Sequence, residues 1–170
     1  MIICDLETDG LLPTVSVIHC ATLYNTVSGE WTQFTPDTIS QLTTFLDNTP
    51  SLSMHSGIGY DLQVLKKLLD YEYKGKYVDT LLLSRIFWPD RPSHSVESWG
   101  QEFGIKKPEH EDWAVFSKEM LHRNKEDVKI QTRIYQTCME RLKRMQDPSK
   151  MESVVLMEQK VWRTMEQSAA

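Results

Sequence analysis

The chain opens on a nearly solid apolar run, Ile2-Ile3-Cys4 and then Leu6, interrupted by Asp5 and closed by Glu7. A run apolar on both faces reads as a buried central strand, here over residues 1–6. Thr8-Asp9-Gly10 is a turn, and Leu11 to Pro13 a short exposed loop. Val15 to Tyr24 is apolar and rich in β-formers, and Glu30 to Phe34 is a second short β-like run with Trp31 and Phe34 apolar. Asn25 to Gly29 between them predicts a hairpin. Thr35-Pro36-Asp37 then starts a helix through Leu46, with Ile39, Leu42, Phe45 and Leu46 on one face. Leu52 to His55 reads as a brief strand, Ser56 to Gly59 as a loop, and Tyr60 to Tyr71 as a helix with Leu62, Leu65 and Leu69 apolar. Tyr77 to Trp88 carries the apolar stretch Leu81-Leu82-Leu83.

Pro89, Pro92 and Ser93 break the pattern before a helical segment from Ser95 to Phe103. Asp112 to Met145 is the longest helical pattern, either one helix or two with a break near Asn124, and Asp147-Pro148 ends it. Met151 to Met165 is an amphipathic helix. Strands first, then a helix, a strand and helices predict an α/β domain with a mixed central β-sheet flanked by helices. The domain is expected over residues 1–145, with 146–170 a C-terminal helical extension rather than a second domain.

Composition narrows the classes. At 170 residues and 40% hydrophobic, the chain supports one domain with a proper core. Three cysteines, Cys4, Cys20 and Cys138, have no paired spacing and fit a reducing cytoplasm. No stretch is long and apolar enough to span a membrane, and no basic region precedes the first apolar run, so neither a membrane protein nor a secreted one is expected. The net charge of −5 opposes nucleic-acid binding at first sight. Two bound divalent ions would bring it to about −1. Basic pairs at Lys66/Lys67, Lys74/Lys76 and Lys106/Lys107, and the group Arg141/Lys143/Arg144, each read by themselves as solvated helix ends or loops.

The chemistry starts at Asp5 and Glu7. A strand has period two, so both carboxylates point to one face. Side by side they repel unless a cation lies between them. Acids in a buried strand are rarely without a partner or a metal. Asp61 reads by itself as an N-terminal cap that favours the helix dipole. Asp127 by itself reads as a solvated residue paired one turn away. His122 lies five residues before Asp127, which on an unbroken helix puts the two roughly 140° apart. Sharing a site requires His122 before the helix, or a break near Asn124.

In order, these elements resemble the DEDD superfamily of 3′→5′ exonucleases, also called DnaQ-like, whose fold is ribonuclease H-like. The resemblance is strongest to the proofreading exonuclease domains of phage family A DNA polymerases, and it runs over residues 1 to about 140. Asp5-Leu-Glu7-Thr-Asp-Gly-Leu11 is similar to their first motif and His55-Ser-Gly-Ile-Gly-Tyr60-Asp61 to their second. Asp79-Thr-Leu-Leu-Leu-Ser84-Arg85 and Ser93-His-Ser-Val-Glu-Ser-Trp99-Gly100 resemble the segments that follow. Trp113 to Met120, then Asp127-Val128, resembles the approach to the third motif. Glu152 to Glu166 is similar to the start of the polymerase region beyond such domains. Two positions depart. Arg123 stands where a tyrosine is common, with His122 beside it, so the chain reads as the histidine subtype, DEDDh. Ser56 replaces the usual asparagine.

The resemblance implies hydrolysis of phosphodiesters from a 3′ end, releasing nucleoside monophosphates from single-stranded DNA or RNA. It implies two divalent ions, Mg²⁺ or Mn²⁺, held by Asp5, Glu7, Asp61 and Asp127, with His122 as general base. Thr8 and Leu11 would lie beside the terminal nucleotide, and Tyr60 and His55 would support it. A severe His122→Ala defect and a mild Arg123→Ala defect follow from that assignment. Two other readings stay open: a proofreading fragment that needs a DNA polymerase partner, and an inactive binding module of the same fold. The expected location is cytoplasmic, in the host cytoplasm for a phage-encoded chain.

Overall fold

Five strands form one mixed sheet in the order β3-β2-β1-β4-β5 in the computed structural model, which describes residues 1–169. The strands are β1 (Ile2–Thr8), β2 (Ile18–Asn25), β3 (Trp31–Phe34), β4 (Ser51–Met54) and β5 (Lys76–Asp79). The doubly apolar opening run becomes the central strand. β2 pairs with β1 antiparallel and β4 pairs with it parallel, while β3 and β5 close the two ends. The helices are α1 (Leu42–Asp47), α2 (Asp61–Leu69), α3 (Thr80–Phe87), α4 (Val96–Phe103), α5 (Lys118–Lys143) and α6 (Pro148–Ala169). One core lies around β1, β2, β4 and α2, with Cys4, Leu23, Leu52, Met54 and Leu65 fully buried. A second lies among α3, α4, α5 and α6, around Leu83, Trp99, Ile130 and Ile134.

Two features of β1 create the site. The parallel pairing to β4 covers only Ile2 and Ile3, so the strands part beyond that point. The amide of Leu6, freed by the parting, donates to the Asp61 carboxylate at 3.2 Å. On the other edge, the register with β2 slips between Glu7 and Thr8, a bulge that bends the strand end. Beyond Ile3 the C-terminal half of β1 therefore borders the crevice left where β1 and β4 part, the side of the sheet on which folds of this kind place their ligands.

The structure differs from the sequence pattern in three places. β5 takes Lys76 to Asp79, a strand the pattern did not resolve because α3 follows it with no intervening turn. Asp79 serves both elements, accepting from the Leu81 amide as the cap of α3. The helix expected from Thr35 is shorter, a single 3₁₀ turn over Ile39–Gln41 running into α1. The long pattern from Asp112 begins as a helix only at Lys118, where Ser117 caps it by accepting from the Met120 amide. From there α5 runs unbroken past Asn124.

α6 is seated by one side chain. Gln159 accepts from the Asp79 amide at 2.8 Å and donates to the Tyr77 carbonyl at 3.0 Å. A side-chain amide thus supplies β5 with the pairing a sixth strand would offer, which protects an otherwise open edge. Farther along, Ser84 ties α3 to α4: it accepts from the Trp99 indole at 2.9 Å and shares a 2.6 Å bond with His94. Gly100 lets Ile130 and the Ile105 carbonyl approach; a Cβ there would lie 2.8 and 2.9 Å from them. The Ser93 to Gly100 stretch is thus a packing device. Among the described residues no helix is long and apolar enough to cross a membrane.

Candidate active site

Three carboxylates meet over the crevice. Asp5 and Glu7 project from one face of β1, and Asp127 comes down from α5, with carboxyl oxygens all within 4.8 Å of one another. The helix reaches this place because Asn124, Asp127 and Gln131 recur at spacings of three and four, which puts them on one helix face. Asn124 donates to the Asp5 carboxylate at 2.8 Å and to its carbonyl at 3.2 Å. Gln131 donates to the other Asp5 oxygen at 2.9 Å. These two buried amides dock the helix on the strand and fix the orientation of Asp5.

Asp61 is the fourth acid. Its side chain does not cap α2 in the usual sense: it is the first helical residue, and its carboxylate turns to the Leu6 amide. It is buried beside Asp5 and stands outside the group of three.

Charge crowding shows in the proton affinities. Burial, then the charges of Asp5 and Asp127, push Glu7 up to about 9. Burial and then Asp127 push Asp5 up to about 7, against the hydrogen bond from Gln131. Burial and then Asp5 raise Asp61 well above the ordinary carboxylate range. Burial raises Asp127 too, opposed by the nearby charges of Lys107 and Arg123. The ammonium of Lys107 lies 3.1 Å from Asp127 Oδ1. A set of acids whose proton affinities are raised by burial first, and for Asp5, Glu7 and Asp61 by neighbouring carboxylates as well, is a set that a cation would relieve.

The DNA-directed DNA polymerase of Escherichia phage T7 is 24% identical over a 180-residue alignment, covering 76% of this chain and 25% of that protein. The enzyme of Enterobacteria phage T3 matches equally, 24% over 177 residues with the same coverage. Among solved structures, Brucella melitensis NrnC with bound Mg²⁺ superposes with a TM-score of 0.69 at 18% identity, covering 98% of this chain and 83% of that one. The chain has the DnaQ-like, ribonuclease H-like fold of the DEDD exonucleases. Escherichia coli RNase D, an exoribonuclease involved in structured RNA processing, shares it with a TM-score of 0.63 at 16% identity, over 93% of this chain and 44% of that one. No protein-family model matches the chain. It spans about a quarter of the length of the polymerases it matches.

Within the DnaQ-like frame, the remaining expected residues fall into two groups. Thr8 and Tyr60 meet at the turn after β1, next to Leu11. The Thr8 and Tyr60 hydroxyls bond each other and the Gly10 carbonyl, pinning the turn after β1. That turn presents Leu11, 77% exposed, to solvent. His55 is elsewhere. Its Nε2 donates to the His94 carbonyl at 2.7 Å and its Nδ1 meets Thr80 at 2.8 Å. Burial lowers it to about 4, so it is a neutral strut between β4, α3 and the loop before α4. Ser56 beside it adopts φ 65°, the left-handed region in which asparagine is also tolerated.

His122 requires a correction. The structure does not bring it to the carboxylates. Because α5 is unbroken from Lys118, His122 keeps its phase, roughly 140° from Asp127, and is exposed. Arg123, one residue on, faces inward instead, its guanidinium 4.8 Å from the centre of the Trp113 ring. Trp113 is itself held over the sheet by its carbonyl, which accepts from His19 at 2.7 Å. Sequence reasoning did not assign Lys107, Asn124 or Gln131 to the site. The signal for the two amides was available, as uncharged polar residues three before and four after Asp127 on α5. Lys107 sits in the irregular segment after α4, whose path no local pattern specifies.

Proposed function

We propose that the chain is a metal-dependent 3′→5′ exonuclease that hydrolyses single-stranded DNA from its 3′ end and releases nucleoside monophosphates. The observation that carries this reading is the group of Asp5, Glu7 and Asp127, drawn from a strand and a helix onto one crevice, with Asp61 beside Asp5. An all-oxygen donor set of this kind suits Mg²⁺ or Mn²⁺. Asp127 Oδ1 is buried and already draws a cation, the Lys107 ammonium at 3.1 Å. Asp5, Glu7 and Asp127 would hold one ion, and Asp5 with Asp61 a second. Bound there, the ions would lower the pKa of the attacking water and offset charge building on the phosphate.

The protein's own groups do the rest. Asn124 and Gln131 keep Asp5 in one orientation. The Thr8 and Tyr60 pair holds the turn that carries Leu11, whose exposed side chain would lie against the terminal base. An apolar contact of this kind accepts any base, so little sequence preference is expected. Similarity to phage DNA polymerases over 76% of the chain supports DNA as substrate, and favours a second reading in which the exonuclease acts beside a polymerase.

The test is cleavage of 5′-labelled single-stranded DNA and RNA of one sequence with Mg²⁺, Mn²⁺ or EDTA. A metal-dependent ladder shortening from the 3′ end of DNA is expected, and Asp5→Ala should abolish it. A ladder on RNA alone would overturn the choice of DNA. Metal-dependent cleavage retained in Asp5→Ala would overturn the site.

A further inference from the structure

Arg123 is in an unusual position for a cation. It lies one helical turn before Asp127 on the same face of α5. Yet among the described residues it forms no ion pair, and its Nε is buried with no hydrogen-bond partner. A buried N–H without an acceptor costs free energy unless something arrives to accept it. The Trp113 ring supports one face of the guanidinium, and a stacked guanidinium still projects its donors outward in its own plane. Those donors suit a tetrahedral oxyanion, which Arg can bind through two parallel bonds.

The position also answers an electrostatic need. A crevice lined by four acids repels a phosphodiester, and any cation placed at its rim without being neutralised by a carboxylate draws the substrate in. Lys107 does not fill that role, because it is already paired with Asp127. Resting on the nuclease reading above, we propose that Arg123 binds the scissile phosphate, donating to a non-bridging oxygen and stabilising the charge that builds there. Water attacks phosphorus, the bond from phosphorus to the 3′ oxygen of the penultimate nucleotide breaks, the water's proton passes to solvent, and the leaving oxygen takes one. Arg123 keeps its own protons throughout, since guanidinium does not act as a base in proteins. The residue that serves the phosphate is thus Arg123, and His122 has no part in the chemistry.

The experiment compares wild type, Arg123→Gln, Arg123→Lys and His122→Gln in single-turnover cleavage of 5′-labelled single-stranded DNA with Mn²⁺. Mn²⁺ titration and thermal melting of each variant run alongside. Arg123→Gln is expected to slow the chemical step roughly 100-fold, the usual effect of removing one donor to a developing oxyanion, with Mn²⁺ affinity kept or raised. Arg123→Lys retains the charge without the fork and should recover about a tenth of the wild-type rate. His122→Gln should stay within about twofold at every pH, leaving the pH profile unmoved. If Arg123→Gln fails to fold, Arg123→Lys decides alone, and a wild-type rate in that variant overturns the proposal. An active wild type with Arg123→Gln within about threefold of it, or with His122→Gln equally slow, overturns the role of Arg123 while the nuclease reading stands. No metal-dependent cleavage by wild type overturns the nuclease reading and this role with it.

Discussion

Glu7→Gln should make the metal-free protein more stable while destroying its activity. Glu7 holds its proton up to about 9, first because it is buried and then because Asp5 and Asp127 lie beside it. The unfolded chain releases the same proton near the ordinary value of 4.5. Between those two pH values the folded state binds more protons than the unfolded state, so stability falls as pH rises. At pH 7 the separation is about 2.5 pH units, worth ~3 kcal/mol at 1.36 kcal/mol for each. Glu7 shares its field with Asp5 and Asp127, so the group titrates together and the share released by one substitution is about 1–2 kcal/mol. Glutamine has the shape of protonated glutamate and never ionises.

For a chain of this size, 1–2 kcal/mol corresponds to a rise of about 3–6 °C in Tm. The assay is thermal melting of wild type and Glu7→Gln in EDTA at pH 5, 7 and 9. The advantage of the variant should be small at pH 5 and grow toward pH 9. Adding Mn²⁺ at pH 8 should stabilise wild type more than Glu7→Gln, because a divalent ion neutralises the repulsion that the substitution removes. A variant no more stable than wild type in EDTA at pH 8, or an advantage that ignores pH, would refute the account of the crowded carboxylates.

Gln159→Ala removes two buried bonds to the edge of β5 and should lower stability by about 2–3 kcal/mol, with faster amide exchange at Asp79. Unchanged exchange there would show that the side chain is not serving as the missing strand. Leu11→Ala should leave Tm where it is, since the side chain is 77% exposed, and raise KM for single-stranded DNA several-fold. An unchanged KM would remove Leu11 from the substrate path.

Much of the fold follows from local pattern. An apolar run on both faces made β1 a central strand, and period two placed Asp5 and Glu7 together on it before any tertiary contact was considered. The hairpin, α2 and α4 were legible for the same reason: their apolar spacing is strong and their ends carry turn residues. β5 was not, because four residues that run straight into a helix leave no boundary to read. Asp61 and Asp127 each carried a bland local explanation, and only their order along the chain set them apart.

Tertiary structure decided the rest. Which residue beside Asp127 enters the crevice depends on the phase of α5, and the phase depends on where the helix starts. Ser117 supplies the cap, the helix runs unbroken, and Arg123 turns inward while His122 turns to solvent. A shift of one residue rotates a helix face by 100°, so no motif reading could choose between neighbours without that start point. Lys107 and Trp113 arrive from an irregular segment that is positioned by packing and by the His19 bond, not by its own sequence. Local pattern thus determined the strand that carries the first two acids, and long-range packing determined the company they keep.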